Sequence, residues 1–110
     1  MAEFCGAFPV LPGKAGHVRT FAADCTTRQG EFAASLQRAG VQRELWFLSP
    51  DGAALYVFLE AADVAAAFAQ IATSSDPFDE WQRQQILEIS GVDMTQPGPP
   101  PADKILDATA

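Results

Sequence analysis

The apolar positions change their period several times along the chain. Ala2–Val10 (AEFCGAFPV) is short, apolar and aromatic. Pro9 and Pro12 end it as a strand near Phe8, because proline donates nothing to a ladder. From Lys14 to Ala39 the apolar residues Val18, Phe21, Cys25, Phe32 and Leu36 recur at helical intervals. Pro12-Gly13 marks the start of this helix and Gly40 its stop. Thr26, Thr27 and Gly30 weaken its middle, so a break would fall near Gly30. Val41–Leu48 and Ala53–Glu60 then flank Ser49-Pro50-Asp51-Gly52, the pattern of a β-hairpin. Asp63–Thr73 is helical, with Val64, Phe68 and Ile71 on one stripe and Asp63 as N-cap. Ser74 and Ser75 interrupt. Asp76 as N-cap, Pro77 at N1 and Asp79 at N3, a variant of the capping box, start a further helix that runs to about Ser90 and stops at Gly91. Gln96–Pro101 (QPGPPP) reads as a stiff polyproline-like connector, and Lys104–Ala108 as a short last strand or a docking tail.

This order, βαββα with a possible terminal β, predicts an α+β protein of ferredoxin-like topology: an antiparallel sheet with helices on one face. The hairpin strands do not alternate cleanly. Leu45, Trp46, Phe47 and Leu48 are consecutive, as are Leu55 through Leu59. Strands apolar on both faces are covered on both faces. Helices in so small a chain cover one, so a second copy is expected on the other, giving a homodimer.

Composition narrows the picture. The 110 residues suit one domain, residues 1–95, followed by a Pro-rich connector and tail, residues 96–110. Apolar residues make up 48% and charged residues 19%, which excludes a disordered chain. Seven basic against 14 acidic residues give a charge of -7, which repels phosphate backbones and excludes nucleic acid as the expected partner. No apolar run is long enough for a membrane span and no leader is visible, so a cytoplasmic location is expected. One His and 2 Cys do not make a usual zinc site, and no glycine-rich phosphate loop or nucleophile elbow is present. No metal or cofactor is therefore expected.

The candidate chemistry begins with Glu44 and Glu60, each in an otherwise apolar strand. A carboxylate facing a covered sheet surface is paired or has a raised pKa, which suits a general acid or base. Whether the two meet depends on the turn. A two-residue Asp51-Gly52 loop sets Arg43 opposite Glu60, and another loop length sets Glu44 there. Trp46 and Tyr56 suit a flat aromatic ligand, or serve as core and dimer contacts. His17 is the single histidine, a proton shuttle or a surface residue of the long helix. Cys25, about 12 Å further along by helical rise, is out of its reach and reads as core. Asp79 and Arg83 are spaced for an i,i+4 pair; Asp79 also has the capping explanation, and Arg83 could reach an anionic ligand. Trp81 and Phe78 pack on the sheet or line a pocket mouth.

Four segments carry a resemblance: F-P-V-L-P-G-K at Phe8–Lys14, G-V-x-x-E-x-W-F-L at Gly40–Leu48, L-Y-V-F-L-E-A-A-D at Leu55–Asp63 and D-P-F-D-E-W-x-R at Asp76–Arg83. Together they resemble a family of small bacterial proteins of unknown function that looks like the dimeric α+β barrel group. More distantly, length and element order are similar to small aromatic polyketide cyclases, sugar mutarotases and cofactor-free quinone-forming monooxygenases. The resemblance implies a homodimer, a pocket between sheet and helices, and often no cofactor. The expectation is a cofactor-independent enzyme on a small, mostly apolar or aromatic substrate: a cyclase, isomerase or dehydratase of secondary metabolism. Glu44, Glu60 and His17 are its candidate proton carriers; Trp46, Tyr56, Trp81 and Arg83 are its candidate substrate contacts. A non-catalytic small-ligand module and a purely structural dimer are the alternatives.

Overall fold

The computed structural model describes residues 1–110. Its elements are β1 (Ala2–Pro9), α1 (Ala15–Thr27), α2 (Gln29–Ala39), β2 (Val41–Leu48), β3 (Ala54–Ala61), α3 (Val64–Thr73) and α4 (Pro77–Ser90). The three strands form one antiparallel sheet in the order β1-β3-β2. It is a small α+β fold in which all the buried sheet side chains lie on one face, under the helices. Phe4 and Phe8 of β1 and Leu55, Val57, Leu59 and Ala61 of β3 alternate inward and are buried. With Val18, Phe21 and Cys25 of α1 and Ile89 of α4, the residues Phe8, Leu55 and Val57 form one core cluster. Phe4, Leu59 and Ala61 form the second, with Ala39 and Ala67.

The hairpin turn is tied at both ends. The Ser49 N–H donates to the Ala54 carbonyl at 2.9 Å, and the Gly52 N–H to the Ser49 carbonyl at 2.9 Å. Gly52 sits at φ 74, where a side chain is strained. Arg43 faces Glu60 and Glu44 faces Leu59, so the two carboxylates do not meet. At the other end of β2 the pairing slips: Val41 faces Ala61 while Arg43 faces Glu60, leaving Gln42 as an extra bulge residue. The bulge lets Val41 and Glu44 both turn inward.

The long helix is broken near Gly30, at Arg28. Arg28 takes φ -97, ψ 34 between α1 and α2. Its side chain explains the position: the guanidinium holds Glu31 at 2.8 and 2.9 Å and lies 4.8 Å over the Phe78 ring and 4.5 Å over the Trp81 ring. Gly30 is inside the first turn of α2.

Asp76 caps α4 as expected, its side chain accepting from the Phe78 N–H at 2.9 Å, with Pro77 in the first turn. Asp79 neither closes a capping box nor pairs with Arg83. It is buried, and accepts from the Ser35 hydroxyl, from the Ser74 hydroxyl at 2.5 Å and from Arg38 at 3.0 Å. One carboxylate thus ties α2 to the end of α3 and the start of α4. Burial opposes its charge, but those hydrogen bonds and the nearby Arg38 prevail and hold its pKa below the ordinary value. It has little exposed surface yet lies shallowly, beneath the half-exposed Arg38.

Residues 91–110 contain no strand or helix. The segment runs back along β1, where the Ala102 N–H donates to the Cys5 carbonyl at 2.7 Å and Lys104 pairs with Glu3. No helix is long and apolar enough to cross a membrane.

Candidate functional site

The parity of β2 builds the site. Pairing of Glu44 with Leu59, Trp46 with Val57 and Leu48 with Leu55 puts all three β2 side chains on the helix-covered face. Across from them α1 and α2 diverge at Arg28. Cys25 and Thr26 from one helix, and Gly30, Phe32 and Leu36 from the other, form the opposite wall of a cleft of about 660 Å³. Gly30 contributes no side chain there and so leaves the space open. The Trp46 ring is held 5.0 Å from Phe21 and 5.9 Å from Phe32.

Glu44 stands on the cleft floor. Its carboxylate oxygen Oε2 accepts from the Trp46 indole N–H at 2.6 Å. As a residue it is half-buried, open to the cleft, while its carboxyl is packed round deeply enough for desolvation to dominate its titration. Burial pushes its pKa up from 4.5 to about 7, and the Trp46 hydrogen bond only partly offsets this. Such a group is present in both protonation states near neutral pH, as general acid–base work requires.

The remaining candidates are scattered. Glu60 and Tyr56 lie on the opposite, open face of the sheet, Glu60 between Glu3 and Arg43 on the flanking strands. His17 joins α1 to α4, its Nε2 at 2.7 Å from Gln85 and 4.0 Å from Glu88, outside the cleft. Trp81 stacks edge-on to Phe21 at 5.3 Å and supports the wall beneath Trp46. Arg83 donates to the Ile71 carbonyl at 2.7 Å and lines a smaller chamber below Glu44. Glu44 and Trp46 are thus the pair brought together, with Arg83 nearby.

Sequence reasoning passed over Cys25, Phe32, Leu36 and Gln82. The first three sit on the helical stripe and read as ordinary core; nothing local signals that the break leaves them around a space. The Cys25 sulfur accepts from Gln82 at 3.6 Å. Burial pushes this thiol up to about 11, with the Glu44 charge adding to the effect, so Cys25 is not a ready nucleophile. No three His, Cys, Asp or Glu side chains converge as metal ligands do.

No curated protein and no solved structure matches the chain. The match that exists carries neither the dimeric barrel nor the polyketide cyclases of the wider resemblance. Residues 1–96 match the model of the Family of unknown function (DUF6176), which takes in every strand and helix of the fold and the whole cleft. The chain belongs to that family.

Proposed function

We propose that this protein is a cofactor-independent acid–base catalyst for a small, mostly apolar substrate, of the cyclase, isomerase or dehydratase type. The observation that carries the reading is Glu44, a carboxyl without a cationic partner on the floor of an aromatic-walled cleft. Protonated, Glu44 donates to a carbonyl or leaving oxygen; ionised, it takes a proton from an acidic carbon. The Trp46 N–H steadies the anion and fixes the direction of its free oxygen. Phe32, Leu36 and Trp46 exclude water and orient the apolar part of the substrate. A group in this position contributes roughly 10²–10⁴-fold in rate. Glu60 and His17 have no part in this reading.

Proton exchange tests it without knowledge of the natural substrate. A panel of aryl ketones and 1,3-dicarbonyl compounds is incubated in D₂O and followed by proton NMR. Deuterium enters the acidic carbon with wild type, and at least a hundredfold more slowly with Glu44→Gln. Exchange at the wild-type rate in the variant removes Glu44 from the mechanism. A compound that binds tightly and is recovered unexchanged makes the protein a binding module.

We also propose a ferredoxin-like dimer. The open sheet face carries Cys5, Ala7, Leu45, Phe47, Tyr56 and Phe58, with Phe47 58% exposed. Glu3, Glu60 and Arg43 gather at one end, a mixture of charges that a two-fold copy can meet with its own. The tail on the free edge of β1 runs where a fourth strand of that topology would lie. Sedimentation at micromolar concentration gives a dimer mass for wild type and a monomer mass for Phe47→Glu; a wild-type monomer ends the proposal.

A further inference from the structure

Glu44 and Trp46 line the cleft and also a chamber of about 70 Å³ beneath the sheet. Phe8, Phe68 and Met94 line that chamber and also a groove of about 590 Å³ on the far side, between β1, α3 and the Pro-rich segment. The three spaces therefore adjoin through shared walls, in a line from β2 under β3 to β1. Two strand spacings make this about 10 Å. The middle chamber has the volume of about two waters in the liquid, which admits a chain but not a ring system. The far groove is lined by no charged residue at all. An ionic group would lose its hydration there without meeting a countercharge. Its roof, Met94 to Pro101, is tied down mainly beyond its end, by the Ala102–Cys5 hydrogen bond and the exposed Lys104–Glu3 pair.

Resting on the reading of Glu44 as the reactive group, we infer that the substrate is an elongated molecule with two parts. Its reactive head stands in the cleft beside Glu44, and an uncharged, unbranched apolar arm passes under the sheet into the groove beneath the Pro-rich segment. The arm belongs to the class of alkyl or alkenyl chains. Binding energy gathered on the arm positions the head, as remote substrate parts do in general.

Two neutral methyl ketones, 2-hexanone and 2-dodecanone, test this by equilibrium dialysis against the full chain. The short one spans the cleft and the long one reaches the groove. The readout is the ratio of their dissociation constants, expected to be at least tenfold in favour of 2-dodecanone. Ala69→Trp fills the groove from an exposed position on α3 and brings the ratio close to one. Ala65→Phe, also exposed and lining the groove, does the same and guards against a folding defect in the first variant. A wild-type ratio near one, or a ratio undiminished in both variants, overturns the inference while leaving Glu44 as the reactive group. Absence of binding by either ketone overturns the inference and the apolar-substrate reading together.

Discussion

Replacing Glu44 by Gln should stabilise the protein at alkaline pH and leave it nearly unchanged in acid. The carboxyl ionises at about 7 in the fold and at 4.5 ordinarily, because burial disfavours its charge. A raised carboxylate pKa means that the folded state holds the proton more tightly than the unfolded chain. Its contribution to stability is then complete below about 4.5 and is lost as pH rises through about 7. At about 1.4 kcal/mol per pH unit, the interval corresponds to about 3 kcal/mol. Gln has the same shape as the protonated acid and its oxygen still accepts from Trp46, but it never charges. Urea denaturation of both proteins from pH 4 to pH 9 isolates the effect, since every other group titrates in both. The variant gains nothing at pH 4 and about 3 kcal/mol above pH 8. For 110 residues, an unfolding entropy of about 2 cal/mol/K per residue turns this into a Tm difference of roughly 10–15 °C. A stability gap that stays flat across the range would refute the burial of Glu44 and, with it, the acid–base proposal.

Four further outcomes follow from the same contacts. Asp79→Ala leaves the buried Ser35 and Ser74 hydroxyls without their acceptor and should cost about 2–4 kcal/mol in urea denaturation. Asp79 has a lowered pKa, so its contribution is present above the ordinary 3.8 and is lost as pH falls through its still lower folded value. Asp79→Asn should therefore flatten the acid limb of the stability curve, and an unchanged limb would dismiss the charge as the cause. Gly6 lies under the Phe4 ring, where an added Cβ would come within 2.6 Å of it. Gly6→Val should displace Phe4 from Phe68, now 4.8 Å away edge-on, and cost about 1–3 kcal/mol in thermal melts. Of the two thiols, Cys5 on the open sheet face should react with a disulfide reagent at pH 8 within minutes in the monomeric Phe47→Glu variant, while buried Cys25 reacts only on unfolding; two fast thiols would contradict the burial of α1 against the sheet.

Much of the architecture is legible because its signals are local. Asp63 and Asp76 cap helices with their own side chains, Gly40 and Gly91 end helices in the left-handed conformation, and Ser49–Gly52 turns the hairpin. Each depends on residues within a few positions of one another. Asp79 illustrates the opposite case. Its hydrogen-bond donors Ser35 and Arg38 come from another helix, so spacing within α4 suggested Arg83 and a capping box instead. The candidate site was half legible for a related reason. Period-two alternation assigns strand residues to faces only where apolar and polar positions alternate, and Leu45–Leu48 are all apolar. Glu44 and Trp46 share a parity, as do Tyr56 and Glu60, but nothing in the pattern says which parity faces the helices. The cleft itself depends on the angle between α1 and α2, which is set by Arg28 stacking on rings fifty residues downstream.

The bulge at Gln42 bears on how this chain tolerates change in length. Register from Arg43 to Leu48 is keyed to the turn at Ser49–Gly52, and the slip at Gln42 separates that stretch from α2 and Gly40. A residue gained or lost at the junction between α2 and β2 can be taken up there as a wider or a vanished bulge. Glu44 and Trp46 then keep their inward orientation, and only Val41 changes its neighbours. Length variation among related chains should accordingly concentrate between Gly40 and Arg43 and be scarce between Glu44 and Leu55, where a single insertion would turn the carboxylate out of the cleft.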